Sequence, residues 1–242
     1  MNILVPTHQQ HKNAKAIGIL YLVIAIVGGF SIGYMPSEII DLKNAEATFT
    51  NFNKQSTFFF IGVLGDIIVL ILEVLLTTLL FELYKSTSKT LSSIAGISRL
   101  AMAIIMGINL INYLIPVFIY NQGTTSLINI DIATQKDISI LFFYAHKIGE
   151  YCWQLFFSIH LFVLGILINK SNFVSKKIGL AMLIGSFGYF FQSLFFFLTI
   201  DNPTCATVIN ILLAIAVLGE LSFTFSLLFK GIKLNTEKPH KC

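Results

Sequence analysis

Six apolar stretches, at residues 16–34, 58–80, 94–119, 138–168, 178–200 and 205–229, each reach the about 20 residues an α-helix needs to cross a bilayer. These stretches make up most of the 242-residue chain, so most of it must face something other than water. Composition agrees: 55% of residues are hydrophobic and 12% charged, with a mean hydropathy of +0.81, and a soluble domain of this size needs far more polar surface to cover its core. The expected fold is all-α, a polytopic six-transmembrane-helix bundle in which residues 1–242 form a single transmembrane domain. The first stretch is longer than the about 7–15 residues of a signal-peptide core, and no small-residue cleavage site followed by a soluble domain comes after it, so it is expected to stay attached as helix one. The fourth is long enough to begin in the outer interface or to tilt.

Lysine placement sets the expected orientation, because short basic connections are retained in the cytoplasm. Lys12, Lys15, Lys85, Lys89, Lys170, Lys176, Lys177, Lys230, Lys233, Lys238 and Lys241 fall on one side, against Lys43, Lys54 and Lys136 on the other. Eleven against three places both termini in the cytoplasm of a multi-pass cell-membrane protein. The net charge of +4 is spread over connections instead of being gathered on one face, which speaks against nucleic acid as a partner and leaves the lipid bilayer. Cys152, Cys205 and Cys242 have neither an even count nor metal-ligand spacing, so neither a disulfide framework nor a Cys-type zinc site is expected, and no residue pattern in the chain specifies a cofactor. The outer connections after helices one and three are about twenty residues each, longer than the usual about 2–8 for helix pairs. A faint internal echo, Leu83-Tyr84-Lys85-Ser86 with Leu100-Ala101-Met102 against Ile168-Asn169-Lys170-Ser171 with Leu180-Ala181-Met182, pairs helices two and three with four and five.

The informative residues are the ionisable ones inside spans, since each costs about 2.5–3.5 kcal/mol at the bilayer centre and must face protein or water. They are Asp66 and Glu73 on helix two, Arg99 on three, His146, Lys147, Glu150 and His160 on four, and Glu220 on six. Asp66 and Glu73, seven apart, share one face of helix two. Rise per residue brings Arg99, Glu73 and Glu220 to a similar inner depth, and a lone guanidinium within a span, the only arginine in the chain, suits pairing with one or both carboxylates. His146 with Glu150 and Lys147 with Glu150 are spaced for local pairs, and with Asp66, Asn109 and Asn112 they make an expected outer polar cluster. A histidine with two acids is a weak metal signature, and the HExxH order is absent, so a hydrogen-bond network is the simpler expectation. His160, on an aromatic face, reads as an interhelical hydrogen-bonder. Four span carboxylates outnumber the two span cations Arg99 and Lys147 by two, so protons, a cation or water must compensate.

Several segments resemble one family. Gly62-Val63-Leu64-Gly65-Asp66 through Tyr84-Lys85, Gly96-Ile97-Ser98-Arg99-Leu100, Leu164 to Ser171 with Ile178-Gly179-Leu180, and Gly219-Glu220-Leu221 through Lys230-Gly231 look like domain of unknown function 4386, a family of six-helix, mostly bacterial membrane proteins. The likeness runs from about Lys15 to Ile232. It implies the six-helix topology and a shared set of an acid opening helix two, at Asp66, an arginine near the start of helix three, at Arg99, and an acid in helix six, at Glu220. Where the family often carries a glutamate three residues after that arginine, this chain has Met102, and His146 to Trp153 departs from the family's acidic and aromatic pattern. The resemblance implies no reaction.

Three function classes fit these residues. The first is binding or transport of a small or lipophilic molecule at the interior cluster of Asp66, Glu73, Arg99, His146, Lys147, Glu150 and Glu220. The second is a structural or regulatory membrane subunit pinned by polar contacts. The third, an intramembrane lipid-modifying enzyme, lacks a nucleophile beside a base: Ser158 has no histidine at helical spacing.

Overall fold

A computed structural model describes residues 8–120, 131–171 and 173–232, so Lys233, Lys238, Lys241 and Cys242 lie outside the described residues. The elements are α1 (His8–Gly28), a π-helical turn at Gly29–Tyr34, α2 (Met35–Ile39), α3 (Ala45–Lys54), α4 (Ser56–Tyr84), α5 (Lys89–Asn109), α6 (Ile111–Tyr120), α7 (Ile132–Ser171), α8 (Lys176–Phe197), α9 (Pro203–Phe225) and a second π-helical turn at Ser226–Lys230. Among the described residues there is no strand. Six helical stretches are long and apolar enough to cross a membrane: Lys12–Ile39, Ser56–Tyr84, Lys89–Tyr120, Ile132–Ser171, Lys176–Phe197 and Pro203–Lys230. Along them Ile71, Ile97, Ile108, Leu141 and Leu218 stand more than half exposed, which in water would be costly and in lipid is the expected state.

Three polar residues start helices as their side chains dictate. Asn44 Oδ1 accepts from the Ala47 amide at 2.9 Å, Asp131 Oδ1 from the Thr134 amide at 3.0 Å, and Asn202 Oδ1 from the Thr204 and Cys205 amides at 2.9 and 3.2 Å. Pro203 follows Asn202 in the first helical turn, where its missing N–H costs nothing.

The chain packs as two compact units. One comprises residues 24–73 and 103–153. Its apolar centre gathers Met35, Ile39, Phe52, Phe59, Val63, Tyr113, Val117, Ile119, Tyr120 and Phe143. Phe59 makes edge contacts with Phe52 at 5.3 Å, Tyr113 at 5.6 Å and Phe143 at 6.3 Å between ring centroids, the arrangement favoured by aromatic quadrupoles. The connection after the first span is not a plain loop: α3 lays Phe49 and Phe52 against Tyr120, and Glu46 pairs with Lys136 at 2.5 Å. The third span also departs from an unbroken helix. It stops at Asn109 and restarts at Ile111, and Pro116 sits inside the second piece.

The other unit comprises residues 1–23, 74–102 and 154–242, of which those described pack through glycines. A methyl group on Gly165 would meet the Gly179 carbonyl at 2.6 Å, and one on Gly185 would meet Ala216 Cα at 2.5 Å, so these helices approach backbone to backbone as small residues permit in membranes. Tyr21 packs edge-on to Phe223 at 5.7 Å.

α7, at 40 residues, is about 60 Å long by its rise per residue. That is twice the about 30 Å of a hydrocarbon core, which fits the expectation that this segment starts beyond the core or tilts.

Candidate polar sites within the spans

In the unit of residues 24–73 and 103–153, Asp66 of α4 and His146 and Glu150 of α7 line one cavity of about 20 Å³, together with Leu70, Met106, Asn109, Leu110, Trp153 and Ile32. The helical spacing of α7 delivers the local pairs. Lys147 Nζ donates to Glu150 Oε2 at 2.5 Å, and His146 Nδ1 lies 3.5 Å from Glu150 Oε1. His146 stacks flat on Tyr113, with centroids 3.5 Å apart and planes 10° from parallel. Asn109 Nδ2 donates to the His146 carbonyl at 2.9 Å, and Asn112 Nδ2 donates to Asn109 Oδ1 at 2.9 Å. Gly149 makes this approach feasible, since any Cβ there would overlap the Asn109 carboxamide. Asp66 stands apart from this chain of bonds. It is only 8% exposed, and its Oδ1 has no hydrogen-bond partner among the described residues. Ser31 faces it from the π-helical turn, but Ser31 Oγ is itself buried without a hydrogen bond. The two helices are close here because residue 65 is glycine: a methyl group there would sit 2.8 Å from Ser31 Cβ.

The break in the third span falls at this cavity, since both Asn109 and Leu110 line it. Irregular backbone at membrane depth persists only where protein or a water-filled space surrounds it, and here polar side chains do so.

The second polar cluster lies in the other unit. Arg99, 2% exposed, donates from Nη1 to Tyr21 Oη at 3.2 Å and to His160 Nε2 at 2.9 Å. His160 Nδ1 donates to the Ala95 carbonyl at 2.8 Å, which assigns the neutral imidazole with its proton on Nδ1. The guanidinium also lies over Tyr21 at 5.0 Å and near the Phe157 ring at 5.8 Å. His160 is thus an interhelical bonder, joining α5 to α7. A cavity of about 10 Å³ beside it, lined by Thr77, Tyr84 and Ser92 among others, is half the size of the first.

Of the charged residues singled out in the sequence, Asp66, His146 and Glu150 therefore come together around one cavity, with Lys147 bonded to Glu150, while Arg99 belongs to the second cluster. Glu73 is buried and Glu220 half-buried, each with interactions of its own. Among the described residues no three His, Cys, Asp or Glu side chains converge as metal ligands. Sequence reasoning missed Tyr21 and Ser31. Both are neutral and sit in the first span, where a tyrosine reads as an interfacial anchor and a serine as a helix contact.

A family model described as Domain of unknown function (DUF4386) matches residues 16–231. An uncharacterized protein of Archaeoglobus fulgidus is 28% identical over 174 residues, covering 72% of this chain and 86% of the relative. No solved structure matches.

Proposed function

Because the chain belongs to the DUF4386 family, whose description carries no activity, we propose from the geometry that it is a cell-membrane protein that binds or transports a small polar solute at the Asp66 cavity. One observation carries this reading: Asp66, with a buried carboxylate oxygen that has no hydrogen-bond partner among the described residues, lines a cavity together with His146, Glu150 and Asn109. Buried polar atoms in folded proteins are nearly always bonded, so an orphaned acceptor at a polar cavity marks a place for something to bind. The broken third span supports the same reading, as discontinuous helices commonly frame solute sites in transporters. A lipophilic ligand fits less well, because pockets for drug-sized molecules measure about 300–1,000 Å³.

Arg99 supports a second reading for its own cluster, that of a structural pin. Its guanidinium is held by Tyr21 and His160, and His160 by the Ala95 backbone, a set of contacts that fixes helices without leaving room for a solute. Within this reading Glu220 supplies the carboxylate that balances Arg99. The orientation follows the lysine bias, with both termini cytoplasmic.

The test is a thermal-unfolding screen of the detergent-solubilised protein against small polar and lipophilic solutes, run on wild type and Asp66→Asn. A polar solute that stabilises wild type and not the variant supports the reading. Equal stabilisation of both places the ligand elsewhere, and a panel without effect leaves the structural role.

A further inference from the structure

We infer that the Asp66 cavity is a binding site for one monovalent cation no larger than a water molecule, of which sodium is the natural probe. The inference rests on the proposed solute site and names the class of its occupant.

Size is the first constraint. A water molecule needs about 10–15 Å³ of cavity volume, so about 20 Å³ suits one particle of that size as the cavity stands. Charge is the second. The groups facing Asp66 are Ser31 from the π-helical turn, Asn109 from α5, Tyr113 from α6, and His146 and Glu150 from α7, with Lys147 beside Glu150. The Lys147 ammonium is committed to Glu150 at 2.5 Å, which leaves the Asp66 carboxylate as one negative charge with no cation bonded to it among the described residues.

Three occupants can be compared against both constraints. A water molecule donates a hydrogen bond to Oδ1 but brings no charge. A proton on Oδ1 removes the charge and its O–H can donate to Ser31 Oγ, but the cavity stays unfilled. A small cation supplies the charge, fills the space and takes the oxygen as a ligand. The same comparison separates monovalent from divalent ions. Calcium takes about 6–8 oxygen ligands and magnesium a near-ideal octahedron, whereas this cavity offers two carboxylates, one of them already in an ion pair. The turned Ser31 hydroxyl does not change the result, because it donates a hydrogen bond without charge.

The chain carries its own reporter. Trp153 is the single tryptophan, and it lines this cavity. Purified protein in detergent at fixed pH and ionic strength is titrated with sodium chloride against choline chloride, with tryptophan emission and bound radiolabelled sodium read in parallel. The expected result is a saturable emission change and one sodium per chain, neither reproduced by choline, with affinity at least tenfold weaker in Asp66→Asn. Wild type alone decides the matter if that variant fails to fold. Sodium binding that is absent in wild type, or present unchanged in Asp66→Asn, overturns the inference, as does an emission that follows pH and ignores sodium. A solute-stabilised wild type combined with no sodium response removes the cation and leaves the solute site standing.

Discussion

Replacing Gly185 by alanine tests whether α8 and α9 meet through their backbones. The added Cβ lands 2.5 Å from Ala216 Cα and N and 2.6 Å from Ala216 Cβ, whereas ordinary contact begins at 3.4 Å. The shortfall is about 0.9 Å (3.4 − 2.5) against backbone atoms, which no rotamer change relieves, so the helices must separate along this seam. The neighbouring approach at Gly188, 2.8 Å from the Leu213 amide nitrogen, loosens with it. Overpacking of this kind costs about 1–3 kcal/mol, while exchanging helical glycine for alanine returns up to about 1 kcal/mol. With backbone atoms on both sides the cost lies at the upper end of that range, and a net loss of about 2 kcal/mol follows. Gly96→Ala is the internal control: its Cβ meets only Thr77 Cγ2, at 3.8 Å, so it keeps the propensity gain without the clash. Equilibrium unfolding in mixed micelles, followed by helical circular dichroism, places the two variants on opposite sides of wild type. Gly185→Ala proving as stable as Gly96→Ala would refute the close approach of α8 and α9.

Asp131 caps α7 through the Thr134 amide and the Thr134 hydroxyl, and these hydrogen bonds hold its carboxyl below the ordinary value of 3.8. With a depressed folded value, the capping contribution is complete above 3.8 and lost as pH falls through the lower folded value, so the melting-temperature gap between wild type and Asp131→Ala is constant near neutrality and closes in acid. A gap that stays constant or widens after the pH has fallen past the lowered folded value contradicts this. A double-mutant cycle on Arg99 and Glu220 is expected to give a coupling of at least about 1 kcal/mol in unfolding free energy, and additive single changes remove Glu220 as the balancing acid. In intact cells, cysteines placed at positions 41 and 131 should react with an impermeant thiol reagent and one at 176 should not. Labelling at 176 reverses the orientation.

The spans were legible because hydrophobic length is a direct consequence of bilayer thickness, and the charged cluster because burying an ion is costly enough that each one announces a site. Lys147 and Glu150 could be paired from spacing alone, since a helix brings residues three apart together. What the sequence concealed depends on neutral groups and long-range packing. Nothing in Ile108 to Ile111 marks the interruption at Leu110: glycine and proline are absent there, and Pro116 lies six residues on. Tyr21 became an acceptor for Arg99 only through contact across 78 positions of sequence. α3 was in principle readable from Asn44, Ala45 and Glu46, a capping residue followed by good helix formers, but ten residues between spans look the same whether they are coil or helix packed by Phe49 and Phe52.

The interrupted third span also has a mechanical meaning. An unbroken helix bends as an elastic rod, storing strain in every hydrogen bond along it. Here the rod is already cut at Leu110, and six residues later Pro116 lacks the N–H that would have tied it to the Asn112 carbonyl. The span therefore has two compliant joints, with the short stiff segment from Ile111 to Ile115 between them. Displacements along this span concentrate at those joints instead of spreading through it, and the first joint is part of the cavity wall. Widening the space around Asp66 thus asks for bending at a hinge that the backbone has already made, where Leu110 is tied to Met106 on one side and to Tyr113 and Leu114 on the other.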